Sequence, residues 1–245
     1  MLSTDKPNGR ALGWEYLETR YPYTFRMFRV REDIVRWPDG QVRPFVYVEA
    51  AGAVWVVPVT ADGQVILIRQ FRYLIDDWSW ELPAGGFHDF QGSPLDLARR
   101  ELAEEVGGES DDWEYRGFFR TGVSLFDQVG HIFLARNVRL CREPDREPGE
   151  IIEVHPVPVP RALEMARGGE ILDVHSALAL LRCEGDLWEV YARCAPLTKR
   201  VRTTPLQVRD RLDANSGLSA DWTFVLTGTA ADTSLLDDAG PQERK

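Results

Sequence analysis

The sequence predicts an α/β protein: a mixed β-sheet sandwiched between helices, with an N-terminal antiparallel strand region. Three observations carry that expectation. Apolar stretches of strand length alternate with helical patterns up to about residue 195. One of those helices, within residues 85–108, has sharp start and stop signals and carries three carboxylates at helical spacing. Ahead of them, residues 14–49 read as short, partly alternating segments around a hairpin turn. The expected organisation is a strand region over 1–48, a main domain over 49–195 and a C-terminal extension over 196–245.

The elements follow in order. Residues 1–13 are polar and expected to be mobile. TFRMFRVREDIVR alternates in part, WPDGQ supplies a turn at Asp39-Gly40, and VRPFVYVEA resumes extended structure. AVWVVPVT, a turn at Ala61-Asp62-Gly63, and QVILIRQFRYL read as a second hairpin, apolar enough for the centre of the sheet. The Pro-Ala-Gly-Gly run of SWELPAGGF reads as a loop feeding the carboxylate helix. WEYRGFFRTG and QVGHIFLARNV then read as strands, EPDREPGEI as a charged surface loop, and IIEVHPVPVPRAL as a strand end. RALEMARGGEI and HSALALLRCE make two closing helices. Beyond them, LQVRDRLDA suggests a short helix and DWTFVLTG a strand, and the end from Thr229 is polar.

Composition narrows the partners. A chain of 245 residues with 44% hydrophobic and 28% charged residues can bury a full core. Its formal net charge of −10 leaves no basic surplus to displace counterions from nucleic-acid phosphates. No apolar run approaches a membrane span, and MLSTDKPNGR lacks a signal-peptide apolar core. Cys141, Cys183 and Cys194 are scattered and odd in number, which suits unpaired thiols in the cytoplasm. The four histidines show no metal-ligand spacing.

The chemistry concentrates in GGFHDFQGSPLDLARRELAEEVGG, residues 85–108. Ser93-Pro94 offers a hydroxyl N-cap with proline at N1, and Gly107-Gly108 a stop. Glu101, Glu104 and Glu105 lie at i, i+3 and i+4, on one side of the helix, while Leu95, Ala98, Leu102 and Val106 line an adjoining core-facing side. Three like charges on adjacent turns repel, and a hard divalent cation is the simplest reason to gather them. A solvated acidic face is the alternative.

This stretch resembles the Nudix box, G-x5-E-x7-R-E-U-x-E-E-x-G-U. Gly86, Arg100-Glu101, Leu102, Glu104-Glu105 and Gly107 match it; Gly92 stands at the first glutamate and Gly108 at the terminal aliphatic position. In the family that first glutamate mainly braces the box arginine, here Arg100, and the later glutamates bind metal. The resemblance implies a Nudix fold, with Glu101 and Glu105 as principal Mg²⁺ (or Mn²⁺) ligands, Glu104 supporting and the carbonyl of Ala84 adding a ligand.

VRPFVYVE, RQFRY, WELPAGG, HIFLARNV and GEILDVHSALALL resemble more specifically the ADP-ribose and nucleoside-diphosphate-sugar pyrophosphatases. That likeness implies a homodimer exchanging N-terminal strands and a nucleotide-sugar substrate cleaved to a nucleoside monophosphate and a sugar phosphate. It places Arg72 near the phosphates, where a guanidinium can bind bidentately, although a surface arginine at a strand end fits the residue type equally. Arg69 is a lesser version of the same idea. Phe45 falls where such enzymes stack a base; a core aromatic is the alternative. Asp127 stands in the loop that offers a general base, with Gln128 where the subgroup has glutamate, so Asp127, a box glutamate or metal-bound water must serve. Glu81 either binds substrate or caps the loop. The tryptophans at 78 and 80 either wall a pocket or pack the core. The departures at Gly92 and Gln128 also admit a second function, a Nudix-fold protein that binds a nucleotide sugar without cleaving it.

Overall fold

The computed structural model describes residues 5–146 and 149–194. In chain order the elements begin with α1 (Pro7–Ala11), β1 (Glu15–Thr24), β2 (Phe28–Arg36), β3 (Val42–Ala50), β4 (Ala53–Pro58) and β5 (Gln64–Arg72). There follow β6 (Asp77–Glu81), β7 (Ala84–Gly86), a 3₁₀ turn (Phe87–Asp89), α2 (Pro94–Val106), β8 (Gly108–Glu109) and β9 (Asp112–Arg120). The chain continues through β10 (Phe126–Asp127), β11 (Val129–Arg136), β12 (Arg139–Leu140) and β13 (Ile152–Pro158) to α3 (Val159–Gly168), α4 (Val174–Arg182) and α5 (Glu184–Cys194).

The N-terminal strands form their own sheet, ordered β1-β2-β3-β10. The Asp39-Gly40 turn joins β2 to β3 antiparallel, with Arg36 opposite Val42 and Gly40 at φ +83°. Of residues 1–13, expected to be mobile, positions 1–4 lie outside the described residues; in the rest Pro7 opens α1, and Gly13, at φ +87°, follows it against Pro38.

The expected second hairpin is corrected. β4 and β5 are consecutive, yet they meet only at one bridge, Val59 with Val65. β4 pairs parallel with β11 in a sheet ordered β7-β4-β11-β9, and β5 pairs with β13 and β6 in another. Both strands are buried on both faces, so each finds its own partners and the single expected sheet becomes two. Their alternation then divides the core. Val54, Val56, Ile66 and Ile68 pack against Leu97, Leu102 and Val106 of α2. Trp55, Val57, Val65 and Leu67 pack instead with Leu163, Leu180 and Leu187 of the closing helices. The layers are thus helix, sheets, helices, as the fold class required.

Beyond the two closing helices expected there is a third, α5, which buries Leu187. Among the described residues no helix is long and apolar enough to cross a membrane. The helix and strand expected within 196–245 lie outside the described residues.

Candidate functional site

Helix α2 is fixed at both ends by local chemistry. The Ser93 hydroxyl accepts the Asp96 N–H while Asp96 accepts the Ser93 N–H, completing a capping box. Gly107, at φ +67°, closes the helix in the left-handed region; a Cβ there would lie 2.0 Å from the Arg142 carbonyl oxygen. The aliphatic position of the box is filled by Gly108, whose Cβ would meet Leu102 at 3.0 Å, so a small residue fits this packing.

The three helix carboxylates then occupy three different environments. Glu105 is buried, and its Oε2 accepts the Ala84 N–H at 2.9 Å. Burial, and then the charge of Glu101, push its carboxyl well above the usual carboxylate range. Glu104 is held by Arg100, whose Nε donates to both of its oxygens at 2.8 and 2.9 Å. The Arg100 guanidinium also lies over the Phe90 ring, 5.8 Å from its centre. This arrangement accounts for Gly92: a Cβ there would lie 2.5 Å from the Phe90 ring, and an i,i+4 glutamate braces the arginine. Glu101 sits against Gly85, where a Cβ would come within 2.1 Å of its carboxyl carbon.

That close approach explains the glycines before the helix. Residues 84–86, expected to be loop, form β7 and pair antiparallel with β4, Trp55 opposite Ala84. Glycine lets this short edge strand lie directly beneath a carboxylate. Just upstream, Glu81 is buried and binds Arg72 bidentately, Nε to Oε1 at 2.8 Å and Nη2 to Oε2 at 2.5 Å. Glu81 therefore faces Arg72. The Arg72 guanidinium also feels the charges of Glu105 and Asp173, which help keep it cationic. Arg69 turns elsewhere, over the indoles of Trp78 and Trp80 at 5.2 and 6.0 Å and toward Glu153.

A cleft of about 260 Å³ brings Ala84, Glu101, Glu104 and Glu105 together with Arg26 and Glu150. Glu150 was not singled out by the sequence reading. It enters from the charged loop before β13, and its charge adds to the upward pressure on Glu105. The signal available was an acidic residue opening a strand after a proline-bearing loop, which is too common to choose. Among the described residues, no three His, Cys, Asp or Glu side chains converge as a ready-made metal cage.

Asp127 lies outside that cleft. It pairs with Arg120 at 3.3 Å and lines a neighbouring cleft of about 650 Å³, which shares Arg26, Met27 and His88 with the first. Gln128 donates its amide to the Ala51 carbonyl at 3.0 Å, a loop-fixing role. Phe45 lies farther along the N-terminal sheet, edge-to-face with Trp14 and Tyr47, in a groove that also reaches Arg120 and Asp127.

Comparison with known proteins gives this geometry a family. Residues 50–173 match the NUDIX domain. The chain is 31% identical to an ADP-ribose pyrophosphatase of Bacillus subtilis over 147 residues, covering 60% of this chain and 79% of that protein. It is 30% identical to an ADP-ribose pyrophosphatase of Mycobacterium tuberculosis over 162 residues, covering 65% and 78%. A solved structure described as an ADP compounds hydrolase superposes with a TM-score of 0.62 at 22% identity, over 72% of this chain and 95% of that one, a likeness of fold. With the box on α2, the glycine strand beneath it and half the chain matched, this protein belongs to the Nudix family and is a Nudix hydrolase.

Proposed function

We propose that this chain hydrolyses the diphosphate of ADP-ribose or a related nucleoside diphosphate sugar, with Mg²⁺, releasing a nucleoside monophosphate and a sugar phosphate. The observation that carries the reading is the Glu101–Glu105 pair above Gly85, with Arg26 at the cleft and Arg72 close enough to feel Glu105. The similarity to ADP-ribose pyrophosphatases supports the substrate class.

Nudix hydrolases generally use divalent metal ions. The residues present fit one: Glu105 is a buried carboxylate beside a second carboxylate, raised by its burial and then by the charge of Glu101. Glu101 and Glu105 would hold the ion, with Glu104 held at the edge by Arg100. When bound, such an ion neutralises diphosphate charge and acidifies a water. Glu105 and Ala84 fix one wall of the cleft through their 2.9 Å hydrogen bond. Arg72, pre-oriented by Glu81, offers its guanidinium to phosphate oxygens. For the general base the cleft favours Glu150 over Asp127, because Glu150 lines it and Asp127 does not. The adjoining clefts, linked through Arg26 and then Asp127, give an extended substrate room on one side of the carboxylates.

We also read the protein as cytoplasmic, from its unpaired cysteines, and as a homodimer. Exposed Tyr23, Phe28, Val42 and Val46 on the N-terminal sheet support the latter. The test is phosphate-ester release, with added phosphatase, from ADP-ribose and a panel of nucleotide sugars, with and without Mg²⁺. Metal-dependent release is expected. Ligand binding with no product across the panel would replace the hydrolase with the binding protein.

A further inference from the structure

The closing helix reaches into the active-site strand through one hydrogen bond. Ser176, fully buried on α4, accepts the Leu82 N–H on its Oγ at 2.9 Å. Leu82 is the residue between Glu81, which holds Arg72, and Pro83-Ala84, which meets Glu105. The hydroxyl has one hydrogen, and Asp173 takes it: Ser176 Oγ donates to Asp173 Oδ2 at 2.5 Å. The oxygen is thereby left to face Leu82 with its lone pairs. Asp173 is fixed in turn. Its Oδ2 also accepts the Ser176 N–H at 2.9 Å as the α4 N-cap, and its Oδ1 lies 3.0 Å from His175 Nδ1. The His175 ring is packed against Trp55 and Phe119, with centroids 4.8 and 5.2 Å away. Burial alone would raise the Asp173 carboxyl, but the hydrogen bonds from His175 and Ser176 outweigh it and pull it down to about 2.

Residues 81–84 are therefore tied at three points: Glu81 to Arg72, Leu82 to Ser176, and Ala84 to Glu105. The Ala84 tie leads to Glu105 in the cleft, the Glu81 tie to Arg72, which does not line the cleft but feels the charge of Glu105, and the Leu82 tie to a helix outside it. We propose that Ser176, oriented by Asp173, is a positioning residue that sets the height of the Leu82–Ala84 backbone beneath Glu105 and so tunes the affinity of the carboxylate pair for its divalent ion. The proposal rests on the assignment of Glu101 and Glu105 as the metal site.

The test is titration calorimetry of the metal-free protein with Mg²⁺, alongside kcat and KM, for wild type, Ser176→Ala and a control, Leu180→Val. Leu180 is buried on the same helix, in the core cluster that also holds Leu82, so the control lowers stability while the Ser176 hydroxyl and the Leu82 N–H keep their hydrogen bond. Ser176→Ala keeps a good helix former and is expected to fold. Its Mg²⁺ dissociation constant is expected to rise about tenfold, as when a ligand's outer hydrogen-bond partner is removed. Its kcat at subsaturating Mg²⁺ should fall in step, with KM for substrate within about twofold, while Leu180→Val binds Mg²⁺ like wild type. Wild-type Mg²⁺ affinity in Ser176→Ala, or equal weakening in both variants, would overturn the proposal. No Mg²⁺ binding by wild type would instead sink the metal-site assignment.

Discussion

Two acidic clusters in this molecule are built on opposite terms. On the N-terminal sheet, buried Arg31 donates to Asp33 at 2.8 Å and to Glu49 at 2.9 Å, and Arg29 closes on Glu49 from the other side. Thr19 and Tyr47 hydroxyls complete the shell of Asp33 at 2.6 and 3.2 Å. Burial alone would raise Asp33 and Glu49, but the hydrogen bonds to arginine prevail and both carboxyls lie below their usual range. On α2, Glu105 is equally buried with a single backbone donor and a like charge beside it, and its carboxyl lies far above that range. A cluster whose charges are matched inside the chain is complete and serves the fold. A cleft that gathers a buried, raised carboxyl with a second carboxylate beside it is the kind of place where function, rather than the fold, sets the arrangement.

Breaking the second cluster should give the largest effect. Glu105→Gln keeps an acceptor for the Ala84 N–H and removes the charge. Turnover is expected to fall on the order of 10³-fold, while the metal-free melting temperature at pH 8 rises by about 2 °C or more. The sign follows from linkage. A carboxyl raised in the folded state favours folding below its unfolded pKa and loses that contribution as pH rises through the folded value. Metal-free wild type should therefore lose stability with rising pH where the variant does not, as calorimetry at several pH values would read.

Breaking the first cluster reverses the slope. Glu49→Gln leaves Arg31 partly uncompensated and should cost about 3 kcal/mol in urea unfolding. Because Glu49 is depressed in the folded state, its contribution is present above its unfolded pKa and lost as pH falls toward the folded one. Wild type and variant should converge in acid. Glu150→Gln should lower kcat about a hundredfold, with unchanged melting; a wild-type kcat would return the base to another group. The smallest effect is expected from Arg72→Lys. Losing the bidentate fork should raise KM about tenfold with kcat less affected, measured on whichever substrate the panel identifies.

Much of the frame was legible because local rules act within a few residues. Ser93, Pro94 and Gly107 mark the limits of α2 through capping and φ, and i, i+3, i+4 spacing puts three glutamates on one side. The Asp39-Gly40 turn set the β2–β3 hairpin for the same reason. The β4–β5 hairpin misled because apolar runs buried on both faces have no preferred neighbour; pairing with β11 and β13 is decided only when the whole core closes. The glycine strand was read as loop because its partner, β4, lies some thirty residues away.

The sequence by itself determined the helix, its carboxylates, the glycines before it and, through the box, the family, since each is encoded at short range in residue type and spacing. Only the tertiary structure decided which carboxylates are buried, that Arg100 takes Glu104, that Glu150 joins the cleft while Asp127 does not, and that Ser176 holds Leu82 across 94 residues. Those facts depend on desolvation and on distances between remote segments, and neither exists until the chain has packed.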